Sequence, residues 1–211
     1  MEDNEDYFTY KIAIIGDEGV GKSSILSRFL DNSFSKEILS TVALVFRSKA
    51  IEKDNLKIGL LIRDASGKEE YQSKIFPLLK DLNGCILVYD ITNEASFNNV
   101  DNWKNKIVEI NQQDIPMILV GNKCDLNNER KINNLQGEQN ATILKCSFLE
   151  SSASTPTNID EIFMKLIDNM LEFDKKMREK EEESDKKNIT EDGPFKLEVQ
   201  KKYKDDKKCC C

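Results

Sequence analysis

The chain has 211 residues and carries 31 Lys and Arg against 38 Asp and Glu, which gives a formal net charge of −7, and it contains no histidine. This length favours one domain of about 170 residues with a shorter extension. The lack of histidine excludes histidine-based catalysis and histidine-ligated metal sites.

In chain order, apolar runs alternate with segments of helical periodicity. Strands are predicted at 10–15, 44–52, 55–63, 84–90, 115–121 and 142–147, and helices at 22–32, 70–80, 96–112, 132–139 and 158–177. This α/β alternation predicts a mostly parallel six-stranded sheet with helices on both faces. The break at Lys53-Asp54-Asn55 predicts a hairpin and therefore one antiparallel edge strand. Ligands are expected at the C-terminal ends of the strands.

The first strand is followed by the phosphate-loop pattern G-x-x-x-x-G-K-[ST], which residues 16–23 match at every fixed position. Its glycines let backbone N–H groups surround a phosphate, and the N-terminus of the next helix adds partial positive charge. Lys22 is expected to bridge the terminal phosphates, and the Ser23 hydroxyl to ligate Mg²⁺. A plain glycine turn is the alternative, which the strict pattern disfavours. The predicted phosphate contacts are Glu18, Gly19, Val20, Gly21, Lys22, Ser23 and Ser24.

A second motif, Asn122-Lys123-Cys124-Asp125, directly follows the predicted strand 115–121. A carboxylate at Asp125 can accept hydrogen bonds from the N1–H and the exocyclic amine of guanine. Adenine lacks this donor pair, so ATP would leave the carboxylate unpaired at a cost of about 1–3 kcal/mol or more. The aliphatic stem of Lys123 can lie along the base. The two motifs together predict a guanine nucleotide rather than the ATP of a phosphate-loop kinase.

Five loops in matching order give the chain its resemblance to the Ras-superfamily small GTPases, and within them to the Rab family, over about residues 10–171. Two of these loops are the motifs above. The others are Ser40 to Phe46, similar to switch I, Asp64-Ala65-Ser66-Gly67, similar to the D-x-x-G of switch II, and Glu150-Ser151-Ser152-Ala153, similar to the E-T-S-A loop. Residues 85–92, Ser96-Phe97 and Trp103 are also Rab-like. The resemblance implies the phosphate-loop GTPase fold.

The resemblance also implies roles for single residues. Ser23 and Thr41 are expected to ligate Mg²⁺, with Asp64 behind a metal-bound water. The Gly67 N–H is expected to contact the γ-phosphate. Phe34 is expected to stack edge-on against guanine, with a packing role as the alternative. The remaining base contacts are expected from Ser152, Ala153 and Ser154, and the expected catalytic group is Lys22, Thr41, Gly67 and Lys68.

Two departures from the family pattern concern GTP hydrolysis. Lys68 stands where Gln usually orients the attacking water, and a protonated amine cannot accept a hydrogen bond from that water, although it can donate to the γ-phosphate. Glu18 stands where relatives often have Gly or Ser, near the γ-phosphate and the path of an activating protein's arginine finger. Together they predict slow hydrolysis and a mostly GTP-loaded protein. Further departures, which bear on effector choice and nucleotide affinity, are Ala43, Arg63, Ala65-Ser66 and Ser154.

The two ends of the chain differ from its middle. Residues 1–9 are expected to be a flexible N-terminus, residues 10–171 the GTP-binding domain, and residues 172–211 a hypervariable, largely disordered tail. Opposite charges at i,i+4 spacing would allow residues 172–187 to extend the last helix. The tail ends in Cys209, Cys210 and Cys211, which resembles the Rab signal for geranylgeranylation. A chance cysteine cluster or a metal-binding tract is the alternative.

These features predict a Rab-like GTPase that binds GDP or GTP with Mg²⁺ and acts as a membrane-anchored switch in vesicle traffic. The alternative is a GTP-locked binding module with negligible hydrolysis. The family implies effectors, an exchange factor, a GTPase-activating protein (GAP), a prenylation escort and a GDP-dissociation inhibitor as partners, with no nucleic acid and a monomeric state. The cytoplasmic face of intracellular membranes, with a cytosolic pool, is the expected location. Consistent with this, the acidic residues 1–6 predict no signal peptide, no apolar run approaches the roughly 20 residues of a membrane span, and Cys85, Cys124 and Cys146 indicate free thiols.

Overall fold

The computed structural model describes residues 7–35, 41 and 44–188. Within them the chain forms six strands and six α-helices, with short 3₁₀ turns at Phe76–Leu79 and Asn127–Glu129. The strands are β1 (Tyr7–Ile15), β2 (Leu44–Lys53), β3 (Leu56–Ala65), β4 (Gly84–Asp90), β5 (Met117–Asn122) and β6 (Ser147–Ser151). The helices are α1 (Lys22–Asp31), α2 (Glu69–Ile75), α3 (Glu94–Asn98), α4 (Val100–Asn111), α5 (Asn134–Ile143) and α6 (Ile159–Asn188).

The strands form one sheet in the order β2-β3-β1-β4-β5-β6. β2 pairs antiparallel with β3 across a turn at Asp54 and Asn55, which both adopt positive φ. All the other neighbouring strands are parallel. β4 and β5 are buried along their whole length, as expected for parallel strands covered on both faces. The predicted mostly parallel sheet with one antiparallel edge strand is confirmed.

Two apolar cores lie on opposite faces of the sheet. Ile12 and Ile14 of β1 belong to one core, while Ala13 and Ile15 belong to the other, because successive side chains of a strand point to opposite faces. Residues of α1 and α6 complete the first core, and residues of α2, α4 and α5 complete the second. The predicted cover of helices on both faces is therefore confirmed, and it leaves the ends of the parallel strands open for a site.

The prediction for the last strand is wrong. Residues 142–147 are not a strand, because α5 continues to Ile143 and β6 begins only at Ser147. A capping box sets the start of α5, with Asn133 and Gln136 bonded to each other's backbone. The apolar run at Ile143 and Leu144 is the end of this helix, where Leu144 is buried and Ile143 is 75% exposed.

Several other elements also differ from the prediction, among them the predicted helix 70–80, of which α2 ends at Ile75 and a 3₁₀ turn follows. β1 begins at Tyr7, so residues 7–9, predicted to be part of a flexible N-terminus, pair with residues 57–59 of β3. The predicted helix 96–112 is two helices, α3 and α4, which meet at Asn99; the Asn93 side chain caps α3. α6 runs to Asn188 rather than ending at residue 177. The opposite charges at i,i+4 spacing in residues 172–187 allow for this longer helix.

The compact unit that contains the sheet ends at Phe173, and the described residues after it, 174–188, belong to a second unit. The predicted lipidation residues Cys209, Cys210 and Cys211 lie outside the described residues, as do Ser40, Val42 and Ala43 of the switch I segment. No helix in the described part of the chain combines the length and apolarity needed to span a membrane.

Candidate functional site

A cavity of about 470 Å³ opens where β1, β5 and β6 end. This is the edge of the sheet at which open parallel α/β folds bind ligands, and the volume suits a small molecule. All the predicted nucleotide contacts line this cavity except Val20 and Ser152. Ser35 and Leu126 also line it, although no motif points to them, and so does Ser66, at a variable position of the D-x-x-G motif.

Lys22 begins α1 and turns its ammonium group back into the phosphate loop. Its Nζ donates hydrogen bonds to the carbonyl oxygens of Gly16 at 2.9 Å and Asp17 at 2.6 Å. Burial lowers the pKa of Lys22 to about 8, against the raising effect of nearby carboxylates, the largest being that of Asp64. A buried ammonium group that borders an open cavity is suited to bind an anion, because an opposite charge restores the solvation that burial removes.

A buried amide fixes the phosphate loop to the end of β5. The Asn122 side chain donates from Nδ2 to the Val20 carbonyl oxygen at 2.8 Å and accepts from Ser151 Oγ at 3.2 Å. Gly21 passes beside this amide with φ +96°, and a Cβ there would lie 2.2 Å from Asn122 Nδ2. Val20 itself is buried in the core, so only its backbone takes part in the loop.

Three oxygen-bearing side chains predicted to hold Mg²⁺ lie together. Ser23 Oγ donates to Asp64 Oδ2 at 2.6 Å and lies 2.9 Å from Thr41 Oγ1. Burial raises the pKa of Asp64, and its second oxygen, Oδ1, is buried with no hydrogen-bond partner among the described residues. No group of three His, Cys, Asp or Glu side chains in the described chain is arranged for a metal. Two hydroxyls and one orphaned carboxylate oxygen nevertheless fit a hard cation that keeps waters and shares phosphate oxygens, as Mg²⁺ does.

The residues predicted to hold the base line the cavity through the loops after β5 and β6. Asp125 Oδ1 accepts from Ser152 Oγ at 2.5 Å, so Ser152 orients the carboxylate rather than lining the cavity. Lys123 pairs with Asp90 through Nζ and Oδ2 at 2.6 Å. Arg28 Nε donates to the Ala153 carbonyl oxygen at 3.0 Å and thereby ties the loop after β6 to α1.

Phe34 also borders this end of the cavity. Its ring is partly buried against the core between α1, α6 and the sheet, and the Arg28 guanidinium lies 5.7 Å from the ring centroid. Phe34 thus packs against this core and is also part of the cavity lining.

The two residues that depart from the family pattern lie close to each other. Gly67 packs so tightly against the phosphate loop that a Cβ on it would lie 2.2 Å from the Asp17 carbonyl carbon and 2.3 Å from Glu18 N. Lys68 follows as the N-cap residue of α2, and its Nζ lies 3.6 Å from Glu18 Oε1. Glu18 and Lys68 therefore form an ion pair, which joins the phosphate loop to the segment after β3.

One network at the site was not predicted. Asp17 Oδ1 accepts hydrogen bonds from Asn99 Nδ2 at 2.6 Å and Trp103 Nε1 at 2.7 Å. Trp103 is buried, and its ring packs at a tilt against Phe76 with centroids 5.8 Å apart. The second residue of the phosphate loop is therefore attached to α4, and through Trp103 to the turn after α2. In the sequence, Trp103 is recognisable only as a Rab-like residue, and this resemblance does not identify Asp17 as its hydrogen-bond partner.

Comparisons with known proteins agree with this geometry. A sequence profile of the Ras family matches residues 11–172. The chain is 37% identical to Ras-related protein Rab-8B of Pongo abelii over 198 residues, which cover 93% of this chain and 92% of that protein. It is 36% identical to human Ras-related protein Rab-8B over the same coverage, and 38% identical to Ras-related protein Rab-8 of Diplobatis ommata over 85% of each chain.

Proposed function

The chain belongs to the Ras family, as a divergent Rab-family small GTPase, and on that premise we propose that its cavity binds GDP or GTP with Mg²⁺ and that the bound nucleotide switches the protein between two states in vesicle traffic. The observation that carries this proposal is the joint lining of one cavity by Lys22 and Asp125, which come from two motifs a hundred residues apart. A phosphate-binding ammonium and a guanine-binding carboxylate at one cavity suit a guanine nucleotide and not ATP.

In the proposed complex, Lys22 and the backbone N–H groups of its loop bind the phosphates, and Asp125 binds the guanine edge. Ser23 and Thr41 would hold Mg²⁺, and the orphaned Oδ1 of Asp64 would accept from a metal-bound water. When bound, the cation neutralises charge on the phosphates. Gly67 packs against the backbone of Asp17 and Glu18, which supports the proposal that its N–H contacts a terminal phosphate.

Hydrolysis in this site is proposed to be slow. The attacking water needs a residue that accepts its proton or orients it by accepting a hydrogen bond, and Lys68 offers only donors. The neighbouring Glu18 carboxylate adds negative charge close to the loop that would receive a developing anion. These contacts also favour the second candidate function, a GTP-loaded binding module that recruits partners and hydrolyses almost nothing.

The proposal is tested by competition on the full chain. Protein freed of nucleotide is loaded with fluorescent GDP, and unlabelled nucleotides are added in the presence of Mg²⁺. We expect equimolar GTP to displace the label, whereas ATP in about a hundredfold excess leaves it bound, because adenine lacks the donor pair for Asp125. Equal displacement by the two nucleotides would contradict the assignment of the base site.

The lowered pKa of Lys22 predicts that GDP affinity depends on pH. In the free protein Lys22 loses its proton above about pH 8, whereas bound phosphates hold that proton by raising the pKa. GDP binding should therefore take up a proton, and affinity should fall by up to about tenfold per pH unit above 8. Calorimetry in two buffers of different ionisation enthalpy measures the uptake. Lys22→Arg, which stays charged, is the control and should remove the dependence.

The tail is proposed to anchor the protein to the cytoplasmic face of membranes through geranylgeranyl groups. Replacing Cys209, Cys210 and Cys211 with Ser should move nearly all of the protein from the membrane fraction of cells to the cytosol, because two lipid chains are needed for stable binding. The matched control replaces Cys85, Cys124 and Cys146 instead, and it should stay on membranes if it folds. A tail variant that remains membrane-bound would indicate a protein receptor.

A further inference from the structure

Lys68 and Glu18 each depart from the family pattern, and the structure places them in contact, with Lys68 Nζ 3.6 Å from Glu18 Oε1. We propose that the two residues act as one unit that selects GTP over GDP. Lys68 is the ligand that distinguishes a γ-phosphate, and Glu18 is the partner that holds Lys68 when no γ-phosphate is present. This inference rests on the proposed function and adds a specificity-determining pair to it.

Glu18 lies at the phosphate end of the cavity, and Lys68, which is not part of the cavity lining, contacts Glu18 from the segment after β3. Glu18 lines the cavity together with Lys22, while the guanine-binding Asp125 belongs to the loop after β5. Gly67 is packed against the backbone of Asp17 and Glu18, so the next residue, Lys68, starts from a fixed point beside the loop. The side chain of Lys68 is therefore anchored by its backbone and free to reorient at its charged end.

The ion pair is weak enough to exchange. Its side chains remain 34% exposed at Lys68 and 50% exposed at Glu18, and ion pairs with this much access to water contribute little to stability. A γ-phosphate carries more negative charge than a carboxylate and offers three acceptor oxygens, so it competes effectively for the ammonium group. GDP has no such group, and with GDP bound Lys68 keeps Glu18 as its partner.

The two charges also compensate each other. A carboxylate near the terminal phosphate repels it, and the access of water to Glu18 keeps this repulsion moderate. Lys68 balances the charge of Glu18. Removal of Lys68 alone should therefore weaken GTP binding for two reasons: the γ-phosphate loses a ligand, and the negative charge of Glu18 is no longer balanced by Lys68. Removal of Glu18 alone should favour GTP, since both the competing partner and the repulsion disappear.

The test is a double-mutant cycle on nucleotide preference. Affinities for GDP and for a non-hydrolysable GTP analogue are measured by equilibrium binding with Mg²⁺, using the full chain and its variants Lys68→Gln, Glu18→Gln and the double variant. We expect Lys68→Gln to raise the ratio of analogue Kd to GDP Kd by about tenfold, the loss of a charged hydrogen bond. Glu18→Gln should lower the ratio a few-fold. In the double variant, the ratio of analogue Kd to GDP Kd should be closer to the wild-type ratio than the product of the two single effects predicts.

Lys74→Gln is the matched control, because it removes an exposed lysine from the last turn of α2, the helix that Lys68 caps, and it should leave the ratio unchanged. A circular dichroism spectrum and a melting temperature equal to those of the wild type show that each variant is folded. The inference is overturned if Lys68→Gln changes the ratio by less than twofold, or if the two substitutions have purely additive effects. Failure of the wild-type chain to bind either nucleotide would instead contradict the proposed function itself.

Discussion

Asp125→Asn is expected to weaken GTP binding by about a hundredfold or more and to shift base preference towards xanthine nucleotides. Asp125 would accept two hydrogen bonds from guanine, and each hydrogen bond to a charged group contributes about 1.5–3 kcal/mol. The Asn amide presents a donor where guanine also has one, whereas xanthine offers an acceptor at that position. Equilibrium binding of GDP, GTP and XTP to the full chain measures the change.

Ser152 makes this prediction sharper. Its hydroxyl donates to Asp125 Oδ1 at 2.5 Å and so fixes the orientation of the carboxylate. Ser152→Ala should therefore weaken GTP binding in the same direction but by much less, about tenfold or below. Asp101→Asn, on an exposed position of α4, is the charge-matched control. If the affinities for GTP and XTP stay unchanged in Asp125→Asn, the base does not bind at this loop.

Single-turnover hydrolysis of bound GTP is expected at or below about 10⁻⁴ s⁻¹, with little of the roughly 10⁵-fold acceleration that a GAP can give. Lys68 cannot accept a hydrogen bond from the attacking water, and we propose that its partner Glu18 hinders the approach of an arginine finger. The combined variant Lys68→Gln with Glu18→Gly should therefore show a higher GAP-stimulated rate than either single variant. Because both positions act on one transition state, their effects should not be additive in free energy.

Rapid-quench measurements with a GAP active on Rab proteins provide the readout, and Lys74→Gln again serves as the control for a lost lysine in α2. Brisk hydrolysis by the wild-type chain would contradict this prediction and assign the positioning of water to another residue or to the GAP. A combined variant that still fails to hydrolyse GTP while binding it would favour the binding-module alternative.

The fold was largely predictable because its determinants are local. The buried parts of β1, β4 and β5 are continuous apolar runs in the sequence. The phosphate-loop pattern before α1 is strict enough to predict a turn that leads from a strand into a helix. The error at β6 has a physical cause. Ile143 and Leu144 look like a strand core in sequence, whereas the capping box of Asn133 and Gln136 starts a helix that reaches them. The capping residues can be recognised in the sequence, and a helix that begins at this cap would place the start of the predicted strand further along the chain.

The site was predictable only where its residues belong to contiguous motifs. Lys22 and Asp125 each stand in such a motif, and both line the cavity. Arg63 shows the opposite case, because its Nη1 donates to the backbone oxygens of Leu78 at 2.6 Å and Lys80 at 2.8 Å. Backbone carbonyls carry no sequence signature, so no pattern could have supplied these partners. The same holds for Asp17, whose two donors lie more than eighty residues further along the chain.

The bond between Asp17 and the Trp103 indole has a spectroscopic consequence. The chain contains one tryptophan, so fluorescence excited at the long-wavelength edge of the absorption band comes from a single indole. The N–H of this indole donates a hydrogen bond to Asp17 of the phosphate loop. Indole emission depends on the polarity and the hydrogen bonds around the ring. Any ligand that pulls the loop, or the turn at Phe76 that packs on the ring, will change the intensity or wavelength of that emission. The protein thus carries its own optical probe, with which nucleotide exchange can be followed in real time on the native chain.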